Sequence, residues 1–517
     1  MSSDVRLPKL EEVRVLAASL GMSLSDSEVR SYHSMMEGAF SIYTWMDTQE
    51  EPKPSVKYPR SFGYRPSREE NPFNAWFWRT EIKGAPTGVL GDKRVGIKDT
   101  ICVAGIPMIN GGRVLEEFVP DIDATVVTRI LDAGATILGK TTVNDGVGDA
   151  IETNSPLATV RNPRKPTHAP GGSSNGSAAA LVAGDIDLAM GGDQGGSIRI
   201  PASWSGVVGL KPTYGLVPYT GVVTVEMTLD HVGPMATTVA DTALMLSVIA
   251  GPDPLDPRQR GVTPKATNYL TALGKGVEGL RIGLLREGFD QKPWEDVGLP
   301  ASETAVDEVV RAAIATLAEA GAVVREVSIP MHVDGVRIFY GLYPEGVAQF
   351  MIQGNFMGTN WFGYYNRTLA EFHGEALQKQ PNGLSPAFKS TLLLGEYLRR
   401  TTFGRYYAKA QNMRSRLRDA YDATLADYDV LVMPTTPFRA TTIPPSDCAI
   451  EDKIAFAMQM IGNTSQFGVT GHPAISVPCG VVDDLPIGMQ IVSRHLDEHI
   501  VLRVAEEVER LSDWRAL

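Results

Sequence analysis

Ser197 closes a run, Gly191-Gly192-Asp193-Gln194-Gly195-Gly196-Ser197, in which four glycines leave the backbone amides unobstructed. A second serine-bearing loop lies just upstream: Gly171-Gly172-Ser173-Ser174-Asn175-Gly176-Ser177. Hydroxyls set beside bare N–H groups are what acyl transfer needs, an oxygen nucleophile next to a nest for the developing oxyanion. Ser197, following the short apolar strand Leu188, Ala189, Met190, reads as that nucleophile. The plainer alternative is a tight strand-to-helix turn with a serine cap. A phosphate cradle is not expected, because neither loop is followed by Lys-Ser or Lys-Thr and no G-x-G-x-x-G turn opens a helix.

A serine nucleophile requires a base. Gly172 to Gly176 satisfies G-x-S-x-G, the nucleophile elbow of α/β-hydrolases, with His231 or His472 as later partners. An elbow needs a strand directly before it, and the chain offers RNPRKPTHAP with Pro163, Pro166 and Pro170, so this match reads as a decoy. The remaining base is Lys98, set in the apolar run VGIKDTICV, where an ammonium is costly and its pKa falls. Its rival reading is a strand-end lysine paired to Asp99.

Other reactive residues offer less. His495-Leu496-Asp497-Glu498-His499 fits H-x-x-E-H, a zinc pattern on a helix. Only eighteen residues follow it to supply a third ligand, and Asp497-Glu498 more simply opens a surface helix after GMQIV, so no metal is expected. Cys102, Cys448 and Cys479 are too few and too dispersed for a disulfide framework or a structural zinc site, and read as reduced, mostly buried thiols.

The elements that must position these residues are of α/β type. Residues 8–46 carry helical spacing broken at Gly21, and Pro52, Pro54, Pro59 and Pro66 punctuate an extended linker. From Val95 short apolar strands alternate with helices: VGI, then DATVVTRILDAG stopped by Gly134, then ATILG. The unit recurs in EVVRAAIATLAEAG followed by AVVREV, which implies a central mixed sheet covered by helices on both faces. The expected organisation is a helical N-terminal appendage and linker over 1–65 and a catalytic domain over 66–517. An aromatic, irregular stretch at about 335–400 is either a cap over the pocket or a helical insertion that only packs.

At 517 residues, 43% hydrophobic and 21% charged, the chain has the composition of an ordinary globular protein. A net charge of −12 leaves no basic footprint for nucleic acid or an anionic membrane surface. The start MSSDVRLPKLEEV lacks the order of a signal peptide and no stretch of about eighteen apolar residues occurs, so a cytoplasmic protein is expected.

The stretch GGSSNGSAAALVAGDIDLAMGGDQGGSIRIPASWSGVVGLKPTYGLVP resembles the signature of the amidase signature family, and Lys98 in GIKDT stands where that family places its lysine. LDHVGPMATTVADTALMLSVIAG, DVLVMPTTP, GHPAISVP and LPIGMQIV are similar to the family as well, so the likeness spans roughly residues 70–510. The resemblance implies Ser197 as nucleophile, Ser173 after a cis peptide bond as bridging hydroxyl, Lys98 as base, and the amides of Gln194, Gly195, Gly196 and Ser197 as oxyanion hole. Ser174, Asp193 and Arg199 are expected to support this network. It further implies hydrolysis of a small-molecule amide to acid and ammonia or amine, as in bacterial amidases associated with nitrile metabolism, without a cofactor and as a homodimer. Carbamates, anilides or esters are open to the same triad. A role in charging transfer RNA is not expected of an acidic chain with no docking signal. Trp204-Ser205 departs from the Phe-Cys or similar pair common at this point of the motif.

Overall fold

Strand and helix alternate as the apolar pattern demands, and the strands assemble into one large mixed sheet. A computed structural model describes residues 5–143, 159–259, 267–294, 297–512 and 514. They divide into two units, one ending at Pro54 and one starting at Ser55. The first contains α1 (Leu10–Ser19) and α2 (Asp26–Asp47), separated at Gly21, whose φ of 76° no other residue type adopts readily. Ser25 and Glu28 form a reciprocal capping box at the start of α2. Among the described residues of this unit only Val13, Ala17 and Val29 are buried, whereas Met35, Ile42, Trp45 and Met46 are exposed.

The linker expected to run to residue 65 belongs, from Ser55, to the second unit. Lys57 and Tyr58 both bind Asp132, Arg60 pairs with Asp123, and Tyr64 bridges to Arg79. Proline spacing marks an extended chain, but the side chains between the prolines decide which unit it joins.

In chain order the strands are β1 (Trp76–Lys83), β2 (Arg94–Lys98), β3 (Thr136–Thr141), β4 (Leu188–Asp193), β5 (Val208–Lys211), β6 (His231–Ala236), β7 (Arg281–Leu285), β8 (Val323–Val327), β9 (Val430–Pro434), β10 (Ala474–Val482) and β11 (Leu485–Val492). Their order in the sheet is β1-β3-β2-β4-β6-β5-β10-β11-β9-β7-β8. Every residue of β4, β5, β6, β9 and β11 is buried, as strands covered on both faces must be. Among the described residues the α-helices of this unit are α3 (Thr125–Asp132), α4 (Asn175–Val182), α5 (Arg199–Ser205), α6 (Val239–Ile249), α7 (Thr304–Glu319), α8 (Met331–Val347), α9 (Arg367–Lys379), α10 (Pro386–Thr402), α11 (Arg405–Asp427), α12 (Ile450–Met458), α13 (Ser465–Thr470) and α14 (Glu498–Leu511).

Two crossovers expected from sequence are present. In β2-α3-β3 and β7-α7-β8 each pair of strands is parallel, and each connecting helix turns its Val, Ile and Leu inward. The aromatic stretch at 335–400 is largely helical, formed by most of α8 with α9 and α10.

Candidate active site

β2 lies between β3 and β4 and runs parallel to both, with Ile97 opposite Met190. The C-terminal ends of β2 and β4 therefore deliver Lys98 and the Gly191–Ser197 loop to the same edge of the sheet, where α/β proteins build their sites. Alternation sends the next residue, Asp99, the other way. Its carboxylate stands 2.8 Å from Lys140 Nζ and accepts the N–H groups of Ile109 and Asn110 at 2.9 and 3.0 Å. The Lys98–Asp99 pair considered from sequence does not form.

Lys98 is 1% exposed, and its Nζ donates to Ser173 Oγ at 2.8 Å and to the Gly192 carbonyl at 3.0 Å. Burial pushes its pKa down to about 7, against the upward pull of the Asp193 carboxylate. A good part of this amine is thus neutral near pH 7.

Ser173 follows a cis peptide bond from Gly172. Gly171 has a φ of 81°, and a Cβ there would stand 2.8 Å from the backbone of Pro201, so only glycine fits. The described residues 159–172, directly before Ser173, form no strand beyond an isolated bridge at His168, which removes the geometry of a nucleophile elbow. Ser174 clamps the two loops together. Its N–H donates to Ser197 O at 3.2 Å, and its Oγ accepts the Gly192 N–H at 3.2 Å.

Asp193 organises the Gly191–Ser197 loop. Its carboxylate accepts the N–H groups of Gly196 (2.8 Å) and Ile198 (3.1 Å) and is held by Arg199 Nε and Nη2 at 3.0 and 2.9 Å. Both side chains are fully buried. Burial alone would raise the Asp193 pKa, but the Arg199 guanidinium holds it at about 2. Arg199 Nη1 donates onward to Gln490 Oε1 at 2.7 Å, and Gln490 Nε2 to the Asn463 carbonyl at 2.7 Å. From the other side Thr464 Oγ1 donates to Gly195 O at 2.6 Å. Gln194 Nε2 donates to Asp230 Oδ1 at 3.1 Å. Burial raises the Asp230 pKa to about 7, although Arg258 pulls it down.

Ser173 and Ser197 line one narrow cavity with Gly172, Gln194 and Gly195. Its other walls are Ile200, Phe339 and Tyr343 of α8, and Ala457, Met458, Met460 and Ile461. The Phe339 and Tyr343 rings stack at 5.0 Å. About 30 Å³ of this space is open, room for little more than a water.

No histidine is among the described residues lining it. His231 lies on β6 opposite Asp193, with Nδ1 bonded to Leu229 O at 2.7 Å, and burial holds its pKa well below the usual range. His472 is bonded through both ring nitrogens, to Thr470 Oγ1 (2.9 Å) and Asp422 (3.0 Å). Within the H-x-x-E-H pattern, His499 lies on α14 with its ring 4.8 Å from Tyr269, while His495 sits in the preceding turn. Cys102 and Cys479 are buried and Cys448 half-buried, all three free. Trp204 and Ser205, the departure from the common motif, are structural: Trp204 Nε1 donates to Phe438 O at 3.1 Å and Ser205 Oγ to Pro170 O at 2.9 Å, anchoring the approach to Ser173.

The fold brings together Lys98, Ser173, Ser174, Asp193, Gln194, Ser197 and Arg199, all singled out from sequence. Sequence reasoning misses Asp230, Thr464 and Gln490, polar residues with no local pattern to single them out, whereas Phe339 and Tyr343 fall in the aromatic stretch considered as a cap.

Comparison with known proteins agrees with this architecture. The family model described as Amidase matches residues 78–502. The chain is 42% identical to an enantioselective amidase of Rhodococcus rhodochrous, over 97% of this chain and 96% of that one. Among solved structures it resembles the peptide amidase of Stenotrophomonas maltophilia, at 29% identity and a TM-score of 0.66, covering 82% and 83% of the two chains. It also resembles one component of the glutamyl-tRNA(Gln) amidotransferase of Thermotoga maritima, at 30% identity and a TM-score of 0.67, covering 83% and 85%. Fold, signature stretch and full-length similarity agree. The chain belongs to the amidase signature family of hydrolases.

Proposed function

We propose that the protein is an amidohydrolase that cleaves a carboxylic amide to the acid and ammonia or an amine through a Ser197–Ser173–Lys98 relay. The observation that carries this reading is the 2.8 Å contact between buried Lys98 Nζ and Ser173 Oγ, with Ser173 opening into the same cavity as Ser197. Neutral Lys98 takes the Ser173 proton as Ser173 takes that of Ser197, whose Oγ attacks the amide carbon. The relay then runs backward to protonate the leaving nitrogen, and water attacks the acyl-enzyme by the same route.

The oxyanion is held by backbone N–H groups of the Gln194–Ser197 loop. Within it the Gly196 N–H is committed to Asp193, so the hole rests on Gln194, Gly195 and Ser197, with Gly196 and Asp193 setting their directions. Phe339, Tyr343, Met458, Met460 and Ile461 make the acyl side apolar, which favours an aliphatic or aromatic acyl group. With only about 30 Å³ open, substrate enters by displacing the flexible Met458 and Met460 side chains. α8 caps this pocket within a catalytic domain, and the N-terminal helices form an appendage whose exposed Met35, Ile42, Trp45 and Met46 supply the contact of a homodimer.

The test is a hydrolysis panel of aliphatic amides, aryl amides, anilides, carbamates and esters, run with wild type and Ser197→Ala. Amide hydrolysis lost in the variant is expected. Amide turnover by Ser197→Ala equal to wild type overturns the reading. Light scattering on protein lacking residues 1–54 tests the dimer contact: a monomer is expected, and an unchanged dimer excludes those helices.

A further inference from the structure

Asp422, His472 and His495 bring one ligand atom each within 4.8 Å of one another, and none of the three lines the cavity that holds Ser173 and Ser197. Asp422 lies near the C-terminal end of α11, His472 in the turn from α13 into β10, and His495 in the turn from β11 into α14. β10 and β11 pair antiparallel with Ala474 opposite Val492, so both turns leave the same end of this two-stranded ribbon. That is why two histidines 23 positions apart in sequence meet, with ring centroids 4.0 Å apart and planes tilted by 37°.

The hydrogen bonds fix how the rings present themselves. His495 Nε2 lies 2.9 Å from the Thr470 carbonyl, which can only accept, so Nε2 carries the proton and Nδ1 of the neutral ring keeps its lone pair. That lone-pair atom stands 3.9 Å from Asp422 Oδ1. His472 Nδ1 meets the Thr470 hydroxyl at 2.9 Å, and its Nε2 lies 3.0 Å from the same Asp422 Oδ1, which only accepts, so without an ion Nε2 carries the proton; an ion displaces it, and Nδ1–H then donates to the Thr470 hydroxyl. One residue, Thr470, therefore holds the far nitrogen of both rings, the outer support that metal-binding histidines carry.

We propose that Asp422 Oδ1, His472 Nε2 and His495 Nδ1 bind one divalent transition cation of the Zn²⁺, Co²⁺ or Ni²⁺ class. Two imidazoles and one carboxylate oxygen suit these borderline ions and not Mg²⁺ or Ca²⁺, which take oxygen ligands. Ligands at about 2.1 Å in a tetrahedron stand about 3.4 Å from one another. The three donor atoms lie within 4.8 Å of one another, with 3.0 and 3.9 Å from Asp422 to the two rings, so side-chain rotations that draw the imidazoles together seat the ion. His495, Thr470, Gly471 and Arg418 line an open surface cavity, which gives the ion an entry path and solvent for its remaining position.

Two basic side chains stand nearby without blocking the donors. Arg418 Nε faces the other carboxylate oxygen, Asp422 Oδ2, at 3.8 Å, and Lys211 Nζ donates to the His472 backbone carbonyl at 2.6 Å. A bound ion would tie α11 to the end of the β10–β11 ribbon and act on stability rather than on turnover, since it binds only the folded chain.

The full-length protein, stripped with a chelator and dialysed, is titrated with Co²⁺ while visible absorption is followed, and melted with and without Zn²⁺. One equivalent of Co²⁺ with tetrahedral absorption, and a rise in Tm with Zn²⁺, are expected. Asp422→Asn and His495→Gln, both at partly accessible positions, are expected to weaken Co²⁺ binding at least tenfold and to abolish the Tm rise, with amide hydrolysis unchanged. Absence of stoichiometric Co²⁺ binding overturns the proposal. So does wild-type affinity in both variants, which would put the ion elsewhere.

Discussion

Lys98 Nζ donates to Ser173 Oγ at 2.8 Å, while its neighbour Asp99 turns to the opposite side of the strand and meets Lys140. The pleat thus separates a lysine from the acid beside it in sequence and gives that acid a different cation. Without the second lysine, Asp99 would be a buried, unpaired carboxylate next to the proposed base.

Ser197→Ala removes the proposed attacking oxygen and leaves the loop's backbone unchanged. We expect amide hydrolysis to fall by at least ~10⁴-fold. Mass spectrometry after mixing with a slowly deacylating ester should show acylated wild type and unmodified variant.

The pH profile follows from Lys98. Its folded pKa of about 7 means the reactive neutral amine is lost as pH falls, so kcat/KM should drop about tenfold per unit below pH 7. Lys98→Ala should lose most activity at every pH. The linked stability has the same sign: between about 7 and the unfolded lysine value of about 10.4, only the unfolded chain holds this proton. This group therefore adds stability as pH rises through that window, and the trend should vanish from the denaturation midpoints of Lys98→Met.

Asp193→Asn leaves Arg199 buried without its counter-ion. Breaking such a pair costs about 3–5 kcal/mol, to be read as a lower urea midpoint. Activity should fall too, because the carboxylate orders the N–H groups of Gly196 and Ile198.

Gly196→Ala places a Cβ 2.3 Å from Thr464 Oγ1 at a φ of 137°. Since Thr464 Oγ1 also donates to Gly195 O, relief of the clash must shift the loop proposed to hold the oxyanion. We expect kcat to fall about 10²-fold or more, as when an oxyanion donor is lost, measured beside the melting temperature.

His231→Asn keeps a donor for the Leu229 carbonyl and discards the imidazole. Activity within about tenfold of wild type is expected of a lysine-dependent relay. A loss as deep as that of Ser197→Ala would assign the base to His231.

Residues with local signals were legible in the sequence. Lys98 stood out as a charge in an apolar strand, Ser173 and Ser197 as hydroxyls among glycines, and the helix at 125–132 as an amphipathic run stopped by Gly134. Their supports were not. Gln490 reaches Arg199 across 291 positions and Asp230 reaches Gln194 across 36, and an isolated polar residue in an apolar strand or loop carries no sign of its partner. The same holds for His495, which sequence spacing matched with His499 and the fold brings to His472. A helical period relates residues along one helix, whereas chain reversal between β10 and β11 relates residues from different turns.

Gln490 belongs to β11, made 291 positions after Arg199, yet it fixes the arginine that fixes the Gly191–Ser197 loop. A nascent chain halted after α5 holds Lys98, Ser173 and Ser197 but lacks the strand that braces them. Activity should therefore appear only once β11 has been made, and fragments ending before β11 should accumulate as inert, protease-sensitive polypeptide rather than as weak enzyme.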